Sequence, residues 1–115
     1  MTLATSSILT TVKNGIGGIQ EDDTFFDDEL ITHINTALGV LTQLGFGPVE
    51  GFNIEGATET WNDLYPNMPP KLSYVKTFVI QKVRLLFDPP TSAAVSEALN
   101  NSLSELTYRL VTDLE

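Results

Sequence analysis

Two proline pairs, Pro69-Pro70 and Pro89-Pro90, bracket the most regular stretch of the chain, KLSYVKTFVIQKVRLLFD from Lys71 to Asp88. Proline is tolerated in a first helical turn but cannot continue a helix, so the pairs mark a start and a stop. At 1.5 Å per residue this helix would span roughly 27 Å, the width of a small domain. On a helical wheel Leu72, Val75, Val79, Val83 and Leu86 share one stripe, which Ile80 and Phe87 widen. Tyr74, Phe78 and Leu85 fall on another side, so only a strip around Thr77, Gln81 and Arg84 is polar. A helix that is apolar nearly all round is central in its domain or covered by a partner.

Three further helices follow from the same periodicity. Ser6 or Ser7 is placed to cap a short one carrying Ile8, Leu9 and Val12, with Gly15 as its left-handed stop and Ile16 folding back. Thr24 or Asp27 is placed to cap the next. Its apolar face comprises Leu30, Ile31, Ile34, Ala37, Leu38, Leu41 and Leu44, with Asn35, Gly39 and Gln43 opposite, and Gly45 ends it. Residues 46–60, FGPVEGFNIEGATET, show no helical period and read as short β-like pieces or a long exposed loop. Thr60 caps a brief turn, WNDLY. Thr91 or Ser92 then starts a last helix with Val95, Leu99, Leu103, Leu106 and Leu110 on its stripe and Glu105 and Arg109 at ion-pair spacing. The expectation is an all-α fold in a single domain, 1–115. It is a small bundle of about four helices, near 6–14, 27–44, 70–88 and 92–113, with an irregular insertion over 46–60 between the second and third.

Composition narrows the chemistry. A chain of 115 residues is long enough for one modest core. No apolar run approaches the ~18 residues of a membrane span, and no basic residue precedes Lys13 as a secretory signal requires. Without cysteine there is no disulfide, thiolate metal site or cysteine nucleophile. The net charge of −9 argues against a sequence-independent grip on nucleic acid, which needs lysine and arginine at phosphates. Lys71, Lys76, Lys82 and Arg84 lie in the central helix, where they read as snorkelling borders of its buried face. The one histidine, His33, sits at a stripe edge and reads as a packing residue. Gly15, Gly17 and Gly18 lack the strand and lysine of a phosphate loop. In the acidic run Glu21 to Glu29, EDDTFFDDE, Asp27 occupies the place where a calcium loop starting at Asp22 needs glycine. The run reads as a solvated, helix-capping loop. Catalysis finds no reactive group, and no cofactor is implied.

Phe46, Phe52, Ile54, Trp61 and Tyr65 nevertheless cluster in or beside the irregular segment, and the Tyr74, Phe78 and Leu85 side of the central helix needs cover. Either the insertion folds back over that side or another subunit supplies it.

The strings DDTFFDDELITHINTALGVLTQLGFGP, EGF, TWNDL and VKTFVIQKVRLLFDPPTS, with similar spacing from about Ser7 to Arg109, resemble the head–tail connector (adaptor) proteins of long-tailed bacteriophages and their prophage copies. The resemblance implies a non-enzymatic virion protein at the portal vertex. It would form a homo-oligomeric, roughly dodecameric ring on the portal protein, extend the DNA tunnel, and meet the next head-completion or tail protein. DNA passes through such a ring without specific binding, and no membrane is involved. On this reading the candidate contacts to a neighbouring subunit, portal or lumen are Phe46, Pro48, Phe52, Ile54, Trp61, Tyr74 and Phe78. A second class fits the same composition: an acidic helical binding or regulatory module acting as monomer or dimer. The charge adds one expectation for the ring. Twelve copies at −9 carry roughly −108, which opposes closure. Asparagine at Asp22, Asp23, Asp27 and Asp28 is then expected to ease assembly while leaving the fold intact.

Overall fold

The central apolar helix, α4 (Leu72–Phe87), packs on three others: α1 (Ile8–Ile16), α2 (Asp27–Gln43) and α5 (Ala93–Thr112), while α3 (Trp61–Leu64) is a single turn. This arrangement comes from a computed structural model that describes residues 7–17, 19–20, 22–46, 48, 50–64, 72–88 and 91–112. Among the described residues there is no strand, only an isolated antiparallel bridge between Ser7 and Thr60. The fold is therefore all-α, with four substantial helices and an irregular segment between the second and third of these.

The core follows the stripes. Val75, Val79 and Val83 of α4 are buried with Leu30, Ile34, Ala37, Leu38 and Leu41 of α2 and Ile8, Leu9 and Val12 of α1. Contact between Phe26 and Phe87 brings the start of α2 to the end of α4, so the two run antiparallel. Leu86 departs from the expected stripe and is 40% exposed. Because α2 begins only at Asp27, the last turn of α4 is covered by the Phe26 ring, and that ring lies on Phe87 instead. Within the chain, the second apolar side of α4 is not covered by the insertion. α5 lies along it, burying Phe78 with Leu103. On α5 itself the stripe is uneven: Leu110 is fully buried, whereas Val95 in the first turn is half exposed.

Ser7 is the cap of α1, its Oγ accepting the Thr10 N–H at 3.2 Å. Gly15 does not stop this helix, which runs one residue further to Gly17 at φ 75°. Gly15 is instead a point of tight packing of α1 against α4. A Cβ there would stand 2.7 Å from Ile80 Cδ1 and 2.9 Å from Ile80 Cγ2. We expect Gly15→Val to cost about 1–3 kcal/mol as an overpacked contact, read from the midpoint of urea unfolding. An unchanged midpoint would show that the α1–α4 contact is loose.

α2 starts without a side-chain cap: its N-cap is Phe26, and neither Thr24 nor Asp27 fills that role with its side chain. Its other end is a Schellman turn. The Phe46 N–H donates to Leu41 O at 2.9 Å and the Gly45 N–H to Thr42 O at 3.0 Å, with Gly45 at φ 96°. This turn drives Phe46 back onto the helix it follows, where it is 2% exposed.

Residues 50–60 are tied to the core through one buried residue, Ile54, although Glu50, Asn53, Glu55, Ala57 and Thr58 along the segment are exposed. Asn35, on the polar side of α2, pairs with the backbone of Ile54 in both directions: the Ile54 N–H donates to Oδ1 at 2.8 Å and Nδ2 donates to the Ile54 carbonyl at 3.1 Å. Ile54 is thereby held inward at 1% exposure. The segment then reaches α1, where the Ile8 N–H donates to Glu59 O at 3.0 Å. A reciprocal capping box between Thr60 and Asp63 starts α3. Trp61, fully buried, donates its indole N–H to Thr11 Oγ1 at 3.1 Å.

Candidate interaction surfaces

The seven candidate contact residues divide sharply by burial. Phe46, Ile54, Trp61 and Phe78 are each at most 3% exposed within their own chain, where the Schellman turn, the Asn35 clasp, the Thr11 hydrogen bond and α5 hold them. Pro48, Phe52 and Tyr74 are half-buried and keep a partly accessible edge. The structure therefore gathers the first four in the interior of the subunit, Phe78 at the floor of an open cleft, and the last three keep a more accessible edge.

The exposed apolar side chains are others. Phe25 is 83% exposed and Tyr108 70%, with Leu86 and Val95 beside them in rank. Phe25 is the tip of an aromatic ladder. Its ring meets Phe26 edge-on at 4.8 Å, and Phe26 meets Phe87 edge-on at 5.3 Å. His33 closes the ladder, 6.5 Å from Phe87, with its Nε2 3.5 Å from Glu29 one turn earlier. In the sequence Phe25 lies inside the acidic run, where no stripe marks it as a contact. A phenylalanine flanked by carboxylates is a signal available in the sequence, since the acids keep that loop in water.

Lys13 anchors this loop. Its ammonium, 3% exposed, lies 2.6 Å from Asp27 Oδ1 and donates to the Asp23 carbonyl at 2.8 Å. Asp27 is the first residue of α2, one position past its N-cap, and its carboxylate is turned to Lys13. This contact also corrects the expectation that asparagine is harmless at that position, because the change removes a carboxylate in direct contact with a buried ammonium. Asp27→Asn is expected to destabilise the fold, by less than the ~3–5 kcal/mol of a fully buried pair because the carboxylate is a quarter exposed. Thermal unfolding at neutral pH checks this, with Asp22→Asn as the neutral control. The remaining acids at 22, 23, 28 and 29 are exposed, and among the described residues no group of three histidine or carboxylate side chains is suited to hold a metal ion.

Lys76 is the other buried cation, 5.3 Å above the Trp61 ring. Burial pushes its pKa down from the usual lysine range. It belongs to the core, whereas Lys82, half-buried one and a half turns later, faces an open cleft of about 390 Å³. Val40, Phe78 and Leu103 give this cleft an apolar lining, while Lys82 and the α5 residues Asn100 and Thr107 give it a polar one. The molecule thus presents two unlike features: an aromatic tip set in carboxylates at the start of α2, and an apolar cleft with one lysine further along the bundle.

A family model described as phage connector protein matches residues 8–115. The chain belongs to the phage connector family. Searches of curated proteins and of solved structures return no significant match. The match takes in all five helices and both surface features, so the connector role of the family, a structural one within the phage particle, attaches to the whole fold. Among the described residues of this connector no helix is long and apolar enough to cross a membrane.

Proposed function

We propose that this connector assembles as a closed, roughly dodecameric ring between portal and tail. There it extends the DNA tunnel, completes the packed head, and offers a platform to the next head-completion or tail protein. The observation that carries this reading is the family match across nearly the whole chain. A ring subunit needs two different lateral surfaces, since head-to-tail contacts close only by rotation, and the two unlike features, aromatic tip and lysine cleft, support this reading. A wall carrying −9 per subunit lets a duplex slide where a basic wall would hold it. The ring performs no chemistry: it positions other proteins and encloses DNA.

The test is electron microscopy of portal particles after addition of the protein. Class averages are expected to gain a coaxial ring at one end of the portal. Portal particles that remain unchanged at saturating protein would overturn the portal-docked ring.

A further inference from the structure

We infer that the α2–α4–α5 cleft is the socket for the Phe25 tip of a second copy of this chain, with Lys82 meeting the carboxylates that flank the tip. This rests on the ring reading above and names the contact that would build it. Phe25 is a large apolar side chain left 83% exposed at the end of a ladder that stiffens it, in a loop that Lys13 ties to α1. An aromatic ring held this way has little freedom left to lose on docking. The cleft, about 390 Å³, lies within the size range of sites that take a ring-sized group, and Val40, Phe78 and Leu103 give that ring an apolar bed.

Charge selects the occupant. Lys13 pairs with Asp27, Arg109 with Glu105, and Lys76 lies over Trp61. Neither Lys82 nor the exposed Arg84 makes an ion pair among the described residues, and of the two only Lys82 lines the cleft. The segment that offers an exposed phenylalanine between exposed carboxylates, Asp22 and Asp23 before it and Asp28 after it, is on this same chain. Within its own chain the tip is not seated in the cleft: Phe25 is 83% exposed. The α2 wall of the cleft, Val40, lies 13 helical residues beyond Asp27, roughly 20 Å, and its α4 wall at Phe78 lies 9 residues, roughly 14 Å, from the Phe87 that meets Phe26. A second copy is therefore the occupant, tip to socket, which is the head-to-tail geometry a ring requires.

This reverses the sign of one expectation. If the acidic run only repelled its neighbours, neutralising it would ease assembly. If it docks at Lys82, neutralising or reversing either partner weakens assembly at 0.15 M salt, where repulsion beyond about 8 Å is screened and a contact pair is not.

Sedimentation velocity at 0.15 M salt tests it on the full chain, with and without portal. Phe25→Ser and Lys82→Glu each alter a side chain outside the fully buried core, and a thermal melt confirms that each variant is folded. Both are expected to raise the concentration at half-assembly about tenfold or more. The triple variant Lys82→Glu with Asp22→Lys and Asp28→Lys, which exchanges the charges, is expected to recover assembly. Rings of both single variants at the wild-type concentration overturn the inference and leave the ring reading standing. So does loss of portal binding with self-assembly unchanged, which would make the portal the occupant of the cleft. Wild type that forms no ring with or without portal overturns both.

Discussion

Val79→Asp is expected to leave no folded connector at room temperature. Val79 is fully buried at the middle of α4, the helix on which α1, α2 and α5 all pack. A carboxylate there has no cation to meet: Lys76, one turn away, is occupied over Trp61, and Lys82 faces the cleft. Burying an unpaired charge costs several kcal/mol, and a domain of this size has only about 5–15 kcal/mol in all. Loss of the far-ultraviolet helical signal or of a cooperative melt is the expected result. A melt close to wild type would show that the α4 stripe is not the core.

The second large effect concerns the irregular segment. Deleting the chain between Gly47 and Gly56 removes Ile54 from the core, which costs about 2–5 kcal/mol on the scale of large-to-small core changes. It also strips Asn35 of both its backbone partners, a further ~1–3 kcal/mol for a half-buried amide. A shorter loop returns little, since halving its length recovers only about 0.6 kcal/mol of closure entropy. The truncated protein is therefore expected to be unfolded or close to it. Asn35→Ala alone is expected to fold with a stability lower by about 1–3 kcal/mol. Urea unfolding of the pair decides the matter, and a truncated protein as stable as wild type would return the segment to the status of a loop.

That segment also shows where sequence reading reaches its limit. Helices α2 and α4 were legible because their burial is periodic: Leu30, Ile34, Leu38 and Leu41, then Val75, Val79 and Val83, recur at helical spacing and are all buried. Ile54 and Phe46 are buried just as deeply by means that carry no period. One depends on an amide donated from the polar side of another helix, the other on the direction a Schellman turn imparts. The glycine at 45 was a readable stop, and a phenylalanine directly after it is the pattern that turn favours, so Phe46 could have been assigned inward. Asn35 could not, because an asparagine opposite an apolar stripe reads as a solvent-facing residue. Gly15 reads as a stop by its type, whereas its use is to admit Ile80, a contact visible only once α1 and α4 are placed together. The candidate contacts shifted for the same reason. Aromatic residues in an aperiodic stretch look exposed, and Phe46 and Trp61 are interior, while the aromatic that does project, Phe25, was masked by the acids around it.

The most direct measurement of the central claim is the sedimentation of the wild-type protein across a salt series, alone and with portal. With roughly −108 on the twelve copies of the proposed ring, self-repulsion at 0.01 M salt, where the Debye length is about 30 Å, would span neighbouring subunits. The protein is predicted to sediment as a monomer there at micromolar concentration, and as a ring when salt reaches 0.15 M at high concentration or when portal is present. Stable rings at low salt would contradict the charge barrier. A monomer under every condition, portal included, would contradict the ring itself.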